Sequence, residues 1–387
     1  MVRTAKVYRA LWGLSGNPFP DHAIASVGDQ HQPFYEQLYP GVGTRMARAF
    51  LGTNSAAPRV AFLWSLGHGE EARGYGKTRH LLWFAERINE DFGRQALRLA
   101  GRPHDSQKVI AAYAAFSTVE GLSLSNLLFD IVLNLARVQG ERLVALRAGE
   151  LSKGKDSDDI YEGAARRLKS EKNWEPRLLW ILSRNEPTDW VEYLEGFGQW
   201  HKVRYGRELL RSVVAFLNEL GIGRFLLLID QVEDFASYDT PTYKLRRDFP
   251  RLANLCSADK LLRNQITFAL TMHPRAARIL SLYWSEGELG PVSLDQSAEN
   301  VVLLGAMTKH RFNALVKAYL DSVRIEASRD ALTPFTEEAI DFIYEHEGGK
   351  PGYCLQRLFY LMDLAAAEGM KTIEKQYAER CLEGAVS

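Results

Sequence analysis

Five consecutive residues, Gly74-Tyr75-Gly76-Lys77-Thr78, place two glycines, a cation and a hydroxyl just ahead of the apolar run Leu81 to Phe84. Glycines let the main chain approach a polyphosphate, the amides of a helix start point at it, and a lysine there reaches the outer phosphates. The hydroxyl of Thr78 would ligate a magnesium ion. A second stretch, RFLLLIDQVEDF (Arg224 to Phe235), runs five apolar residues, Phe225 to Ile229, into Asp230. That is the pattern of a central parallel strand delivering a carboxylate at its C-terminal edge, where it supports the same metal. A third, NQITFALTMHP (Asn264 to Pro274), reads as a short strand that ends in Thr271 and His273. Beside Asp230, these two could touch a terminal phosphate or an attacking water, or serve only as hydrogen-bonding residues at a strand end.

The glycine stretch departs from the commonest phosphate-loop spacing. Glu71 stands where a glycine is usual, and Gly67 and Gly69 suggest a loop lengthened by a few residues. A plain surface turn is the alternative. After Asp230 comes Gln231, which orients water but accepts a proton poorly, so hydrolysis would draw on a nearby carboxylate such as Glu233. Alternatively, Glu233 and Asp234 open the next helix, where acids suit exposed amides.

These residues need a sheet to carry them. Arg59 to Trp64 is the first strand, leading through the loop to a helix that begins at Lys77 and ends near Gly93. KVIAAYAAFS (Lys108 to Ser117) is a second strand, followed by a helix with Leu127, Leu128, Ile131, Val132 and Leu135 on one face. Alternating strand and helix predict a mostly parallel sheet covered on both faces. VVLLGAM (Val301 to Met307) closes it. The expected fold is α/β, a three-layer domain with a parallel central sheet and a C-terminal helical lid.

Residues 1–58 form an N-terminal lead-in in which Phe19, between two prolines, either anchors the terminus in the core or packs beside a nucleotide base. The ATPase-like domain spans 59–305, with a charged, tryptophan-rich helical insertion over 140–205 broken at Pro176 and Pro187. Arg166, Arg167, Lys169 and Lys172 in that insertion could face DNA or a neighbouring subunit, although mixed charge usually marks a solvated helix face. The lid is 306–387, with Thr336 capping one of its helices ahead of Glu337 and Glu338.

Lys plus Arg and Asp plus Glu both number 48, so no global basic field points to nucleic acid. Cys256, Cys354 and Cys381 are scattered and odd in number, which fits a reducing cytoplasm rather than a disulfide framework. No apolar run approaches the roughly 20 residues of a membrane span. A soluble protein is expected.

In order of motifs, from the glycine loop through IDQVEDF and TMHPR to PFTEEAIDFIYEHEGGKPGYCLQRL, the chain resembles the AAA+ class of P-loop ATPases. It is most similar to the branch of origin-recognition, replication-loader and transposition-regulator ATPases, and its Asp230-Gln231-Val232-Glu233 run also resembles the STAND signalling ATPases. The resemblance implies ATP and Mg2+ as cofactors, with Gly74, Tyr75, Gly76, Lys77 and Thr78 on the phosphates, and Thr78 and Asp230 at the metal. The residues at the strand ends, Glu233, Asp230, Thr271 and His273, form the candidate catalytic set, and Arg357 stands in for the lid arginine, since Gly352 occupies the usual place. Arg275 and Arg278 are candidates for an arginine acting on a neighbouring subunit. Implied partners are further copies of the chain, a partner protein of a DNA-processing or defence system, and double-stranded DNA without sequence specificity. The alternative is a STAND-like switch or scaffold that gates a separate effector with little turnover.

Overall fold

Strands form where apolar residues run without interruption, because a strand covered on both faces has no polar side to show. In the computed structural model β1 (Val60–Ser65), β2 (Lys108–Ala115), β3 (Ile222–Asp230), β4 (Ile266–Met272) and β5 (Val301–Leu304) form one sheet in the order β2-β3-β4-β1-β5. The pairings β1 with β4, β2 with β3 and β3 with β4 are parallel. The α/β class and parallel central sheet are as expected from the sequence. The structure describes residues 2–21, 36–52, 60–65, 73–116, 123–169, 173–232, 261–272, 299–325 and 331–383.

By internal contacts the chain falls into two units, one of residues 41–69 and 81–303, the other of 1–40, 70–80 and 304–387. The sequence boundaries at 58 and 305 set the lead-in apart, whereas this grouping joins residues 1–40 to the C-terminal helices.

The sheet unit contains α2 (Val42–Leu51), most of α3 (Lys77–Glu90), α4 (Arg94–Leu99), α5 (Leu124–Leu151), α6 (Ser157–Leu168), α7 (Pro176–Arg184), α8 (Pro187–Glu195) and α9 (Gln199–Glu219). The change of composition at Gly140 is not an element boundary. α5 runs straight through it, and Gly140 serves instead to leave room for α8, since a Cβ there would lie 2.6 Å from Pro187 Cβ. Pro176 and Pro187 stand at helix starts, where a missing N–H costs nothing. α9 crosses α5 so closely that a Cβ at Gly206 would come within 2.1 Å of the Ser125 carbonyl oxygen.

Buried Arg147 donates through Nη1 to the carbonyls of Leu182 and Asn185, at 2.8 and 2.7 Å, and so ties α5 to the end of α7. The basic residues singled out as a possible DNA face are partly engaged inside the insertion. Arg167 pairs with Glu219 at 2.8 Å, and Arg166 Nε donates to the Glu162 carbonyl at 3.3 Å. Lys172 lies outside the described residues.

The other unit holds α1 (Val2–Trp12), α10 (Lys309–Val323), α11 (Glu337–His346), α12 (Pro351–Ala367) and α13 (Lys375–Glu383). Its N-terminal helix is an integral part of the core. Trp12 is buried and its indole N–H lies 3.1 and 3.0 Å from the carbonyls of Met370 and Lys371. Tyr8 donates to Asp363, which also accepts from Asn17 Nδ2 at 2.9 Å. Phe19 is buried against Tyr319 and Phe335, with ring centroids 5.8 and 6.0 Å away, an anchoring position in the helical core. Thr336 caps α11 by accepting the Ala339 N–H at 3.2 Å. Among the described residues no helix is long and apolar enough to cross a membrane.

Candidate functional site

Asp230 ends β3, and the register that pairs Ile229 with Leu270 brings it level with Thr271 on β4. On the other side Ala115 of β2 pairs with Asp230, and Tyr113 lies two residues back along that strand. The carboxylate is 1% exposed, and three donors among the described residues reach it. Thr271 Oγ1 donates to Oδ1 at 2.6 Å, the Gln231 N–H reaches the same oxygen at 2.9 Å, and the Tyr113 hydroxyl donates to Oδ2 at 3.1 Å. The Gln231 N–H also lies 2.8 Å from Thr271 Oγ1.

Gln231 achieves this with φ of 57°, a left-handed conformation uncommon for a residue with a side chain. The chain therefore turns out of the sheet directly after Asp230, aiming an amide back at the carboxylate. Burial, and after it the neighbouring Asp230 charge, push the Tyr113 phenol well above its ordinary value, so it stays a donor. A hydrogen bond to a charged group contributes about 1.5–3 kcal/mol. The three together fix a buried carboxyl group in one orientation.

In the other unit, Gly74 and Gly76 both have φ of 81°, which a side chain would strain. The Gly76 carbonyl accepts the His80 N–H at 3.0 Å and lies 2.8 Å from His80 Nδ1. A carbonyl only accepts, so Nδ1 carries the proton in this contact. His80 is buried, with the Tyr39 ring edge-on at 4.7 Å. Lys77 and Thr78, at the first two positions of α3, are also buried. The Gly74 carbonyl accepts the Gly352 N–H at 2.8 Å, and the Tyr353 ring covers Gly74 so tightly that a Cβ there would lie 2.7 Å from it. The Lys350 ammonium lies 5.9 Å from the centroids of both Tyr75 and Tyr353.

The structure thus joins Asp230 and Thr271 by a direct hydrogen bond, and gathers Gly74, Tyr75, Gly76, Lys77 and Thr78 at a helix start. Arg357 Nε is bound to Glu347 at 2.8 Å. Glu233, Asp234, His273, Arg275, Arg278, Gly67, Gly69 and Glu71 lie outside the described residues. Sequence reasoning passed over Tyr113, His80 and Tyr353, and saw in Gly352 only the absence of an arginine. A signal existed for Tyr113, as the one hydroxyl in the otherwise apolar run VIAAYAAF near the end of its strand.

Among the described residues no group of three or more His, Cys, Asp or Glu could hold a metal by itself.

No protein-family model and no curated protein matches the sequence. Solved structures do. The chain is similar to the Aeropyrum pernix ORC2 protein in its ADPNP-ADP complexes, at 14% identity and a TM-score of 0.49, over 89% of this chain and 67% of that one. The ADP form of the same protein aligns over the same shares at 14% identity and a TM-score of 0.48. Likeness at this level carries no functional weight.

Proposed function

We propose that the protein binds ATP with magnesium and couples nucleotide state to self-assembly and to recruitment of a partner in a DNA-processing or defence system. The observation that carries the reading is the buried Asp230 carboxylate, fixed by Tyr113, Thr271 and the Gln231 amide at the carboxyl edge of a parallel sheet. The left-handed Gly74 and Gly76 ahead of Lys77 support the reading as a phosphate cradle.

In this reading the amides opening α3 and the Lys77 ammonium bind the phosphates, while Thr78 and Asp230 hold the magnesium. The metal, when bound, offsets phosphate charge. Thr271 keeps Asp230 oriented through its hydroxyl. Gln231 can align a water but cannot take its proton, so turnover is slow and rests on another carboxylate, with Glu233 the candidate.

Calorimetry with MgATP on the wild type and on Lys77→Ala tests binding. The variant loses measurable affinity; equal affinity in both chains would remove the proposal.

A second reading is a nucleotide switch that gates an effector with little turnover, and Gln231 next to Asp230 favours it. ATPase assays with and without duplex DNA, beside sizing with and without ATP, separate the two. DNA-stimulated turnover together with ATP-dependent assembly supports the first.

A further inference from the structure

The opposite edge of the sheet carries a charge that the structure leaves unbalanced. Arg224, near the start of β3 and paired in register with Val109 of β2, is only 7% exposed. Its Nε is buried and donates to nothing among the described residues. In the same cluster Arg102 donates through Nη1 to the Leu51 carbonyl at 2.7 Å and through Nη2 to Asp105. The other oxygen of Asp105 accepts the Gln107 N–H at 2.8 Å. Asp105 is thus engaged by Arg102 and by the Gln107 amide, and no ion pair joins it to Arg224 among the described residues.

Electrostatics agree with the geometry. Burial, followed by repulsion from Arg102, lowers the Arg224 guanidinium to about 10, and attraction to Asp105 offsets only part of this. Asp105 is held below its ordinary value by the Gln107 amide and by both arginines, against the effect of its own burial. Arg224 is therefore buried with an unengaged Nε, beside an Asp105 that is 23% exposed in its side chain and already bound to Arg102. A buried ion without a counter-ion is strongly unfavourable, and a guanidinium brings five donors in a planar fork suited to an oxyanion.

We infer that Arg224, beside the charge of Arg102, forms an anion site at the amino-terminal edge of the sheet that takes a phosphate-type oxyanion. A phosphate gains more than a carboxylate there, because its greater charge interacts with both guanidinium groups. The phosphate comes either from a small phosphorylated molecule or from a nucleic-acid backbone.

The test uses the full chain carrying Lys77→Ala, so that phosphate binding at the glycine loop does not contribute. Thermal unfolding is followed in sodium chloride and in inorganic phosphate at matched ionic strength. Phosphate raises the melting temperature saturably, and adding Arg224→Met abolishes the rise while leaving the chloride value unchanged or higher, since that substitution removes an unpaired buried charge. Arg224→Lys, which keeps the charge and removes the fork, weakens phosphate at least about tenfold.

No phosphate response in the Lys77→Ala chain overturns the site, as does a response that survives Arg224→Met. Equal destabilisation of Arg224→Met in both salts, with Arg224→Lys responding to phosphate as Arg224 does, also overturns it. A short DNA duplex is the second probe. Duplex binding that depends on Arg224 and is displaced by phosphate assigns the oxyanion to a nucleic-acid backbone, and a phosphate response without it assigns a small molecule.

Discussion

The backbone N–H of Gly352 donates to the carbonyl of Gly74 across 2.8 Å, which fastens the end of the glycine loop to the first turn of α12. Tyr353, the next residue, covers Gly74 with its ring. Gly74→Ala therefore meets two obstacles, a φ of 81° and a Cβ position 2.7 Å from Tyr353. The expected loss is about 1–3 kcal/mol in urea unfolding. Adding Tyr353→Ala relieves the steric part and leaves the backbone part, so the double variant falls short of the sum of the two single losses. Additive losses would mean that ring and loop do not touch in solution.

Tyr113→Phe and Thr271→Val each remove one donor from the Asp230 carboxylate. Each costs about 1.5–3 kcal/mol of stability, because the hydrogen bond lost was to a buried charge. The two substitutions share one partner, so the double variant departs from additivity by about 0.5 kcal/mol or more. Thr271→Val also weakens ATP more in the presence of magnesium than in its absence, by calorimetry. An unchanged magnesium dependence would confine Thr271 to a structural role.

Glu233 follows Asp230 by three positions, and Gln231 cannot serve as a base. Glu233→Gln is expected to keep ATP affinity and lower turnover by a factor on the order of 10². Wild-type turnover in that variant would make Glu233 a helix-start residue and favour the switch reading.

Five phenols, those of Tyr8, Tyr39, Tyr113, Tyr193 and Tyr377, are held above the ordinary value of 10, burial being the largest cause in each. Above pH 10 the unfolded chain releases these protons while the folded chain retains them. Stability is thus complete below pH 10 and falls as pH rises from there towards the folded values. Phenolate absorbance should lag behind a denatured control until the chain unfolds, and Tyr113→Phe should flatten the loss of stability. Full phenolate development in a chain that is still folded would contradict the burial of these groups.

Asp230 and the helix start at Lys77 were legible because their chemistry is local: an apolar run ending in an acid, and glycines ahead of a lysine and a threonine. Thr271 was legible for the same reason. Tyr113 was not, since its role depends on which strand pairs with β3, and pairing is a long-range choice that no window of sequence contains. His80 acts through a carbonyl four residues back, and Gly352 through a carbonyl far away in the chain, contacts without a compositional mark. Gly140 misled because glycine more often ends a helix than lets another helix approach. The N-terminal helix α1 was hidden by the charges in VRTAKVYRALW, although Tyr8 and Trp12 lie on one face and are both buried.

The crossing at Gly206 also bears on how the sheet comes to exist. β2 and β3 are neighbours, yet residues 116–221 separate them in the chain, and bringing two distant strands together is the slow, entropically costly part of assembling such a sheet. α5 follows β2 and α9 precedes β3, and the contact of Gly206 with the Ser125 carbonyl closes that span through helices that form quickly and locally. A search over the whole span becomes the docking of two preformed rods. Gly206→Ala should accordingly depress the refolding limb of a chevron plot more than it steepens unfolding, which would make this one hydrogen-sized side chain a determinant of how fast Asp230 reaches the sheet edge.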